Sequence, residues 1–148
     1  MCLALPAGAQ VTTCNGSNIA LTLGNYDSYQ GVPKDASAIF TVTCTRSGGP
    51  PTTTVTLGLG ASLNSGTIAS RQLKLTSGTD LLNYNLYRDA GRSLVWGNTI
   101  GTNTLSQNLT IPNNTSGTLT FTIFGRIDAL QDVRPGSYTD SLTATVSF

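Results

Sequence analysis

An antiparallel all-β sandwich is the fold class this sequence predicts. Apolar residues recur at every second position, no stretch carries a helical stripe, and clusters of Gly, Pro and Asn punctuate the chain. The 148 residues suit a single domain. Folding a chain of that size buries roughly two-thirds of its surface, enough for one core.

The strands follow in order. Ala38, Phe40, Val42 and Cys44 alternate with Ser37, Ile39, Thr41 and Thr43, which predicts a strand that turns Cys44 inward. Ile39 on its outer face predicts partial cover there. Gly48-Gly49-Pro50-Pro51 makes a loop, and Val55, Leu57 and Leu59 alternate with Thr54, Thr56 and Gly58 in the next strand. Asn113-Asn114-Thr115-Ser116-Gly117 is a turn before a strand with Leu119, Phe121 and Ile123 inside. The clearest pattern is residues 138–148, expected as one strand after the turn Pro135-Gly136-Ser137. Tyr138, Leu142, Ala144, Val146 and Phe148 form its dry face; Asp140 interrupts that face near the entrance, where it reaches water or caps the turn. Weaker strands are expected at 19–23, 72–75, 82–88 and 104–111. No linker or internal repeat divides the chain.

Residues 1–9 read as the tail of a secretory signal peptide ending in Ala7-Gly8-Ala9, which leaves residues 10–148 as the mature domain. Cys2 departs with that segment. Cys14 and Cys44 then form an even pair, expected as a disulfide in an exported protein and tying the first strand to the second. Closing a loop of about 30 residues stabilises by roughly 3–4 kcal/mol on the chain-entropy model. No stretch approaches the roughly 20 apolar residues of a membrane-spanning helix.

Composition excludes several functions. Charged residues are only 10% of the chain and the net charge is +1, with Lys and Arg scattered. Neither a nucleic-acid stripe nor a basic membrane patch is present. There is no His, which removes the commonest general base and any Ser–His–Asp arrangement. Asp27 with Asp35, and Asp128 with Asp132, are candidate carboxylate pairs, but turn residues beside them favour solvated loops. No calcium loop or phosphate loop is found, so no cofactor, metal or small-molecule substrate is expected, and the protein is not read as an enzyme. Arg88 and Asp89 are expected to point apart and to pair across strands or cap a turn. Trp96 is expected in the core. Tyr26 and Tyr29, in the loop 25–32, are candidates for an exposed adhesive surface.

Four segments carry a resemblance. Tyr84-Asn85-Leu86-Tyr87-Arg88-Asp89-Ala90-Gly91-Arg92, Ile123-Phe124-Gly125-Arg126-Ile127, the ending from Pro135-Gly136-Ser137-Tyr138 to Val146-Ser147-Phe148, and Phe40-Thr41-Val42-Thr43-Cys44 together resemble the spore coat protein U family, in the expected order. The resemblance implies a subunit of archaic chaperone–usher pili. Such a subunit has an Ig-like sandwich lacking its final strand. A periplasmic chaperone fills the gap first, and the N-terminal strand of a neighbouring pilus subunit replaces it at the outer-membrane usher. Secretion through the periplasm to the cell surface, adhesion and biofilm formation are implied with it, as is a coat role.

Leu142, Ala144, Val146 and Phe148 are expected to line the edge that takes the chaperone or donor strand. An apolar edge strand is a template for strand addition. One departure stands out: only Gln10-Val11-Thr12-Thr13 separates the expected cleavage site from Cys14. That is short against the five or six residues of a usual strand. The expectation is a subunit at or near the pilus tip, which accepts a strand without donating one. A domain that belongs to a longer adhesin or stands alone also fits this departure. The alternative functions are a self-complete spore coat or surface-layer protein and a tip adhesin whose loops bind a glycan or abiotic surface.

Overall fold

The computed structural model describes residues 12–17, 19, 23 and 26–148. The expected strand at 19–23 lies largely outside them. Nine strands form in chain order: β1 (Thr12–Gly16), β2 (Lys34–Arg46), β3 (Thr52–Leu59), β4 (Arg71–Leu75), β5 (Leu81–Tyr87), β6 (Leu105–Thr110), β7 (Thr115–Ile127), β8 (Tyr138–Thr139) and β9 (Ala144–Ser147). They pair antiparallel in a six-stranded sheet, β1-β2-β7-β5-β4-β8, facing a three-stranded sheet, β6-β3-β9. This is the predicted all-β, Ig-like sandwich.

The long β2–β7 ladder is the spine of the larger sheet. Its register sets Phe40 opposite Phe121 and Val42 opposite Leu119 on the inner face, and Thr41 opposite Thr120 and Thr43 opposite Thr118 on the outer. Alternation fixes this register, because a slip of one residue would turn every apolar side chain outward. On the smaller sheet, side-chain hydroxyls and amides bridge β3 to β6: Thr52 to Thr110 at 3.0 Å, Thr54 to Asn108 at 2.9 Å and Thr56 to Ser106 at 2.8 Å. Cross-strand pairs of this kind stabilise a sheet without ionic groups, which accounts for a surface so poor in charge.

The core packs Val42, Val55, Leu57, Leu59, Phe121, Ile123 and Ile127 around Trp96, all fully buried. The Trp96 indole stands edge-on to Phe121, with ring centroids 6.3 Å apart. Its Nε1–H donates to the Leu57 carbonyl at 2.9 Å, so the buried indole loses no hydrogen bond.

Arg71, on β4, is also fully buried. Its guanidinium donates to the carbonyls of Leu59 (2.9 Å), Gly60 (2.8 Å and 3.1 Å) and Trp96 (2.7 Å), and to Asn85 Oδ1 (2.7 Å). No carboxylate touches it. Burial pulls its pKa down, while Tyr84 and Asp140 act the other way. Leu59 and Gly60 close the end of β3, so one side chain of the larger sheet holds the smaller one. At the opposite end, Arg46 donates to the carbonyls of Gly48, Gly49 and Ile111.

Several expectations need correction. Residues 138–148 are not one strand: β8 pairs with β4 through Leu75 and Tyr138, whereas β9 pairs with β3 through Leu57 and Val146. Between them the chain crosses from one sheet to the other, pinned where Gly60 N donates to Thr143 O (2.8 Å) and Leu63 N to Ser141 O (2.9 Å). Alternation survives the crossing because both halves face the same interior. Asp35 is not in a loop but on β2, opposite Arg126, which grips it through two hydrogen bonds of 2.7 and 2.8 Å. Ile39 is 65% exposed, so the cover expected over it is missing among the described residues. Asp89, by contrast, caps a turn as expected, accepting from the backbone of Ser93 and Leu94.

Two outcomes follow from these contacts. Arg71→Ala opens a cavity and strands three buried carbonyls, so urea unfolding should show a loss of about 3 kcal/mol or more. In the loop pair, Arg134 donates to Asp80 from its side chain and its backbone N–H, and these hydrogen bonds hold the Asp80 carboxyl at about 2, below its ordinary 3.8. A carboxyl with a depressed folded-state pKa stabilises the fold above the unfolded value and loses that contribution as pH falls through the folded one. Melting temperature should therefore fall between about pH 4 and pH 2. Asp80→Asn should flatten that part of the curve; an unchanged slope would show that the pair contributes nothing.

Candidate functional site: a slot between the sheets

The two sheets leave one lateral side open. β1 is one edge of the larger sheet and β9 one edge of the smaller, and neither has a second neighbour among the described residues. The opening between them holds about 780 Å³. Its floor is apolar, from Phe40, Leu86 and Ile123, and its wall on the β9 side is Leu142, Ala144 and Val146. Those three wall residues are only half-buried, although a core strand would bury them.

Local chemistry builds each lip. On the β1 side, Cys14 stands directly opposite Cys44, and the two form the expected disulfide, with S–S 2.06 Å and Cα atoms 4.0 Å apart. Cys44 is buried and Cys14 lines the opening, so the cross-link fastens the short edge strand to the long β2. Gly16 then lets the Phe40 ring lie against the strand; a Cβ there would fall 2.3 Å from Phe40 Cζ. On the other lip, β9 hangs from β3 by the rungs from Thr56–Ser147 to Leu59–Ala144. Each lip therefore presents backbone donors and acceptors on its free edge.

The edge residues named from sequence fall into three settings. Ala144 and Val146 lie on β9, Leu142 on the crossover just before it, and Phe148 just past the strand, 55% exposed. One end of the slot is polar. There the Tyr84 hydroxyl donates to Asp140 Oδ2 at 2.6 Å, and Asn64 Nδ2 donates to Asp140 Oδ1 at 3.1 Å. Burial pushes the Tyr84 hydroxyl well above its ordinary pKa, and the bond to Asp140 pushes it further. Sequence reasoning missed this group. Asp140 on an otherwise dry face was the signal, read there as a turn cap or a contact with water.

Tyr26 and Tyr29 part company. The Tyr26 hydroxyl donates to the Asp128 carbonyl (3.0 Å) and accepts from Gln131 N (2.8 Å), which fixes the ring against the core. Tyr29 is 93% exposed. Among the described residues, no three His, Cys, Asp or Glu side chains converge on a point that could hold a metal ion.

The fold defines a class: an antiparallel, Ig-like sandwich, here with an opening between its sheets that Ile19 and Leu23 also line. The Spore Coat Protein U domain matches residues 4–145, and the chain belongs to that family. It is 32% identical over 136 residues to Protein U of Myxococcus xanthus, covering 86% of this chain and 71% of that protein. Two solved structures are more distantly similar. One comes from work on a chaperone–tip adhesin complex in CFA/I fimbriae biogenesis, with 14% identity, a TM-score of 0.42, and 88% of this chain but 39% of that one covered. The other is HdaB, the minor tip subunit of the E. coli Hda pilus, with 12% identity, a TM-score of 0.35, and 90% and 79% covered.

Proposed function

We propose that the protein is a structural subunit of a bacterial surface pilus, assembled by the chaperone–usher pathway through strand addition. The observation that carries this reading is the pair of facing, unpaired sheet edges, β1 and β9, with half-buried apolar side chains between them. An extended segment laid into the slot hydrogen-bonds to a free edge and buries alternate side chains against Leu142, Ala144 and Val146. Periplasmic chaperone, outer-membrane usher and neighbouring subunits are the partners this mechanism requires. Secretion through the periplasm and display at the cell surface accompany it, and the Cys14–Cys44 disulfide suits that oxidising route. Residues 10–148 act as the domain, and adhesion and biofilm formation are the outcome. Tyr29, exposed on its loop, is the residue of the adhesive pair left to touch a surface, since Tyr26 is anchored.

The test is periplasmic expression of residues 10–148 with and without a matching chaperone, followed by size-exclusion chromatography and thermal unfolding. Loss or aggregation of the chain alone, with recovery as a one-to-one chaperone complex, is the expected result. A stable monomer with one cooperative transition would instead mark a self-complete coat protein. Tyr29→Ala should weaken attachment of cells to a surface without lowering the amount of secreted protein; equal attachment would remove the adhesive role.

A further inference from the structure

The slot is not chemically uniform, and the difference bears on what enters it. Among the residues that line it, Asp140 is the only charged one. Its carboxylate is half-buried and makes no salt bridge among the described residues. A carboxylate offers about four acceptor sites. Tyr84 and Asn64 occupy two of them, which leaves acceptor capacity at the mouth of the slot. Arg71, paired with Tyr84 across β4 and β5, acts on Asp140 through space only, because carbonyls and Asn85 hold its donors. Residues 1–25 contain neither Lys nor Arg, so this part of the chain supplies no basic side chain to Asp140. The register sets Tyr84 level with Ile127 and Lys34, at the far end of β2 from Cys44. The slot thus runs from an apolar, disulfide-fastened end to an anionic one.

From this polarity, and resting on the strand-addition reading above, we infer that Asp140 is a specificity residue for the incoming strand. The segment that fits carries alternate apolar side chains and ends in a basic residue, Lys or Arg, seated beside Asp140. A strand with an acidic residue at that end would place two carboxylates together in a half-buried site, which disfavours it. Charge at this end therefore selects among apolar strands that the floor alone would accept equally.

Capped peptides of alternating Val and Thr, with Lys, Ala or Glu at one end, test this, each ending being placed N-terminally in one set and C-terminally in another. The full chain is refolded from urea with each peptide, and the peptide concentration giving half-maximal soluble complex is read by size exclusion. At low salt, the better-placed Lys peptide should capture the chain at about one-fifth the concentration its Glu counterpart needs, as expected for one partly exposed ion pair. That ratio should approach one in high salt and in Asp140→Asn. The salt series on the unaltered chain stands even if the variant folds poorly. Equal capture by Lys, Ala and Glu peptides in both placements overturns the role of Asp140 while leaving the slot as a strand acceptor. Capture by none of them overturns the strand-addition reading and this inference together.

Discussion

The buried guanidinium of Arg71 is the constraint on which the sandwich depends. It reaches from β4 of the larger sheet to the carbonyls that end β3 of the smaller one, and to Trp96 between them. A charge taken out of water is costly unless its donors are fully used. Here carbonyl dipoles and one amide take the place of a carboxylate, so the requirement falls on backbone geometry. Leu59, Gly60 and Trp96 must converge on one point, which fixes the distance between the sheets at that end. Arg46 does similar work at the other end with the carbonyls of Gly48, Gly49 and Ile111. With both ends held, the two sheets keep their spacing beside the lateral opening.

Much of this fold was legible in the sequence, for a physical reason. A period of two records which side chains face the interior, and in β2 and β7 the buried residues are those that alternation marks, whereas in β3 Thr56 and Gly58 are buried as well. The disulfide and the burial of Trp96 were legible for the same kind of reason: export favours pairing, and a large ring gains most from the core. Sheet membership was not legible. Alternation through Tyr138, Leu142 and Val146 runs unbroken across a change of sheet, because it reports a common interior and not a hydrogen-bond partner. Nor was Arg71, since an arginine in a weak strand pattern reads as a surface residue until the carbonyls that receive it are seen together. Tyr26 was misplaced because its hydroxyl finds backbone partners more than a hundred residues away along the chain.

The expectation of an open groove came through the family resemblance more than through pattern. Periodicity could not tell a half-covered strand from a fully covered one; the half-burial of Leu142, Ala144 and Val146 makes that distinction. Its polar end belongs to three segments far apart in sequence, at Asn64, Tyr84 and Asp140, and only the folded chain brings them together. The outer faces are dominated by Thr, Ser and Asn rungs, so the interior edge is where the molecule shows most chemical contrast.

The covalent bond between Cys14 and Cys44 also has a mechanical meaning. β1 is joined to the rest of the sheet by a ladder of only five paired residues. Tension applied to the chain before Cys14 would otherwise act on that ladder alone. With the cross-link in place, the pull passes through sulfur into β2, which shares thirteen paired positions with β7. The edge strand can then be a short lip of a groove and still serve as an anchor under load.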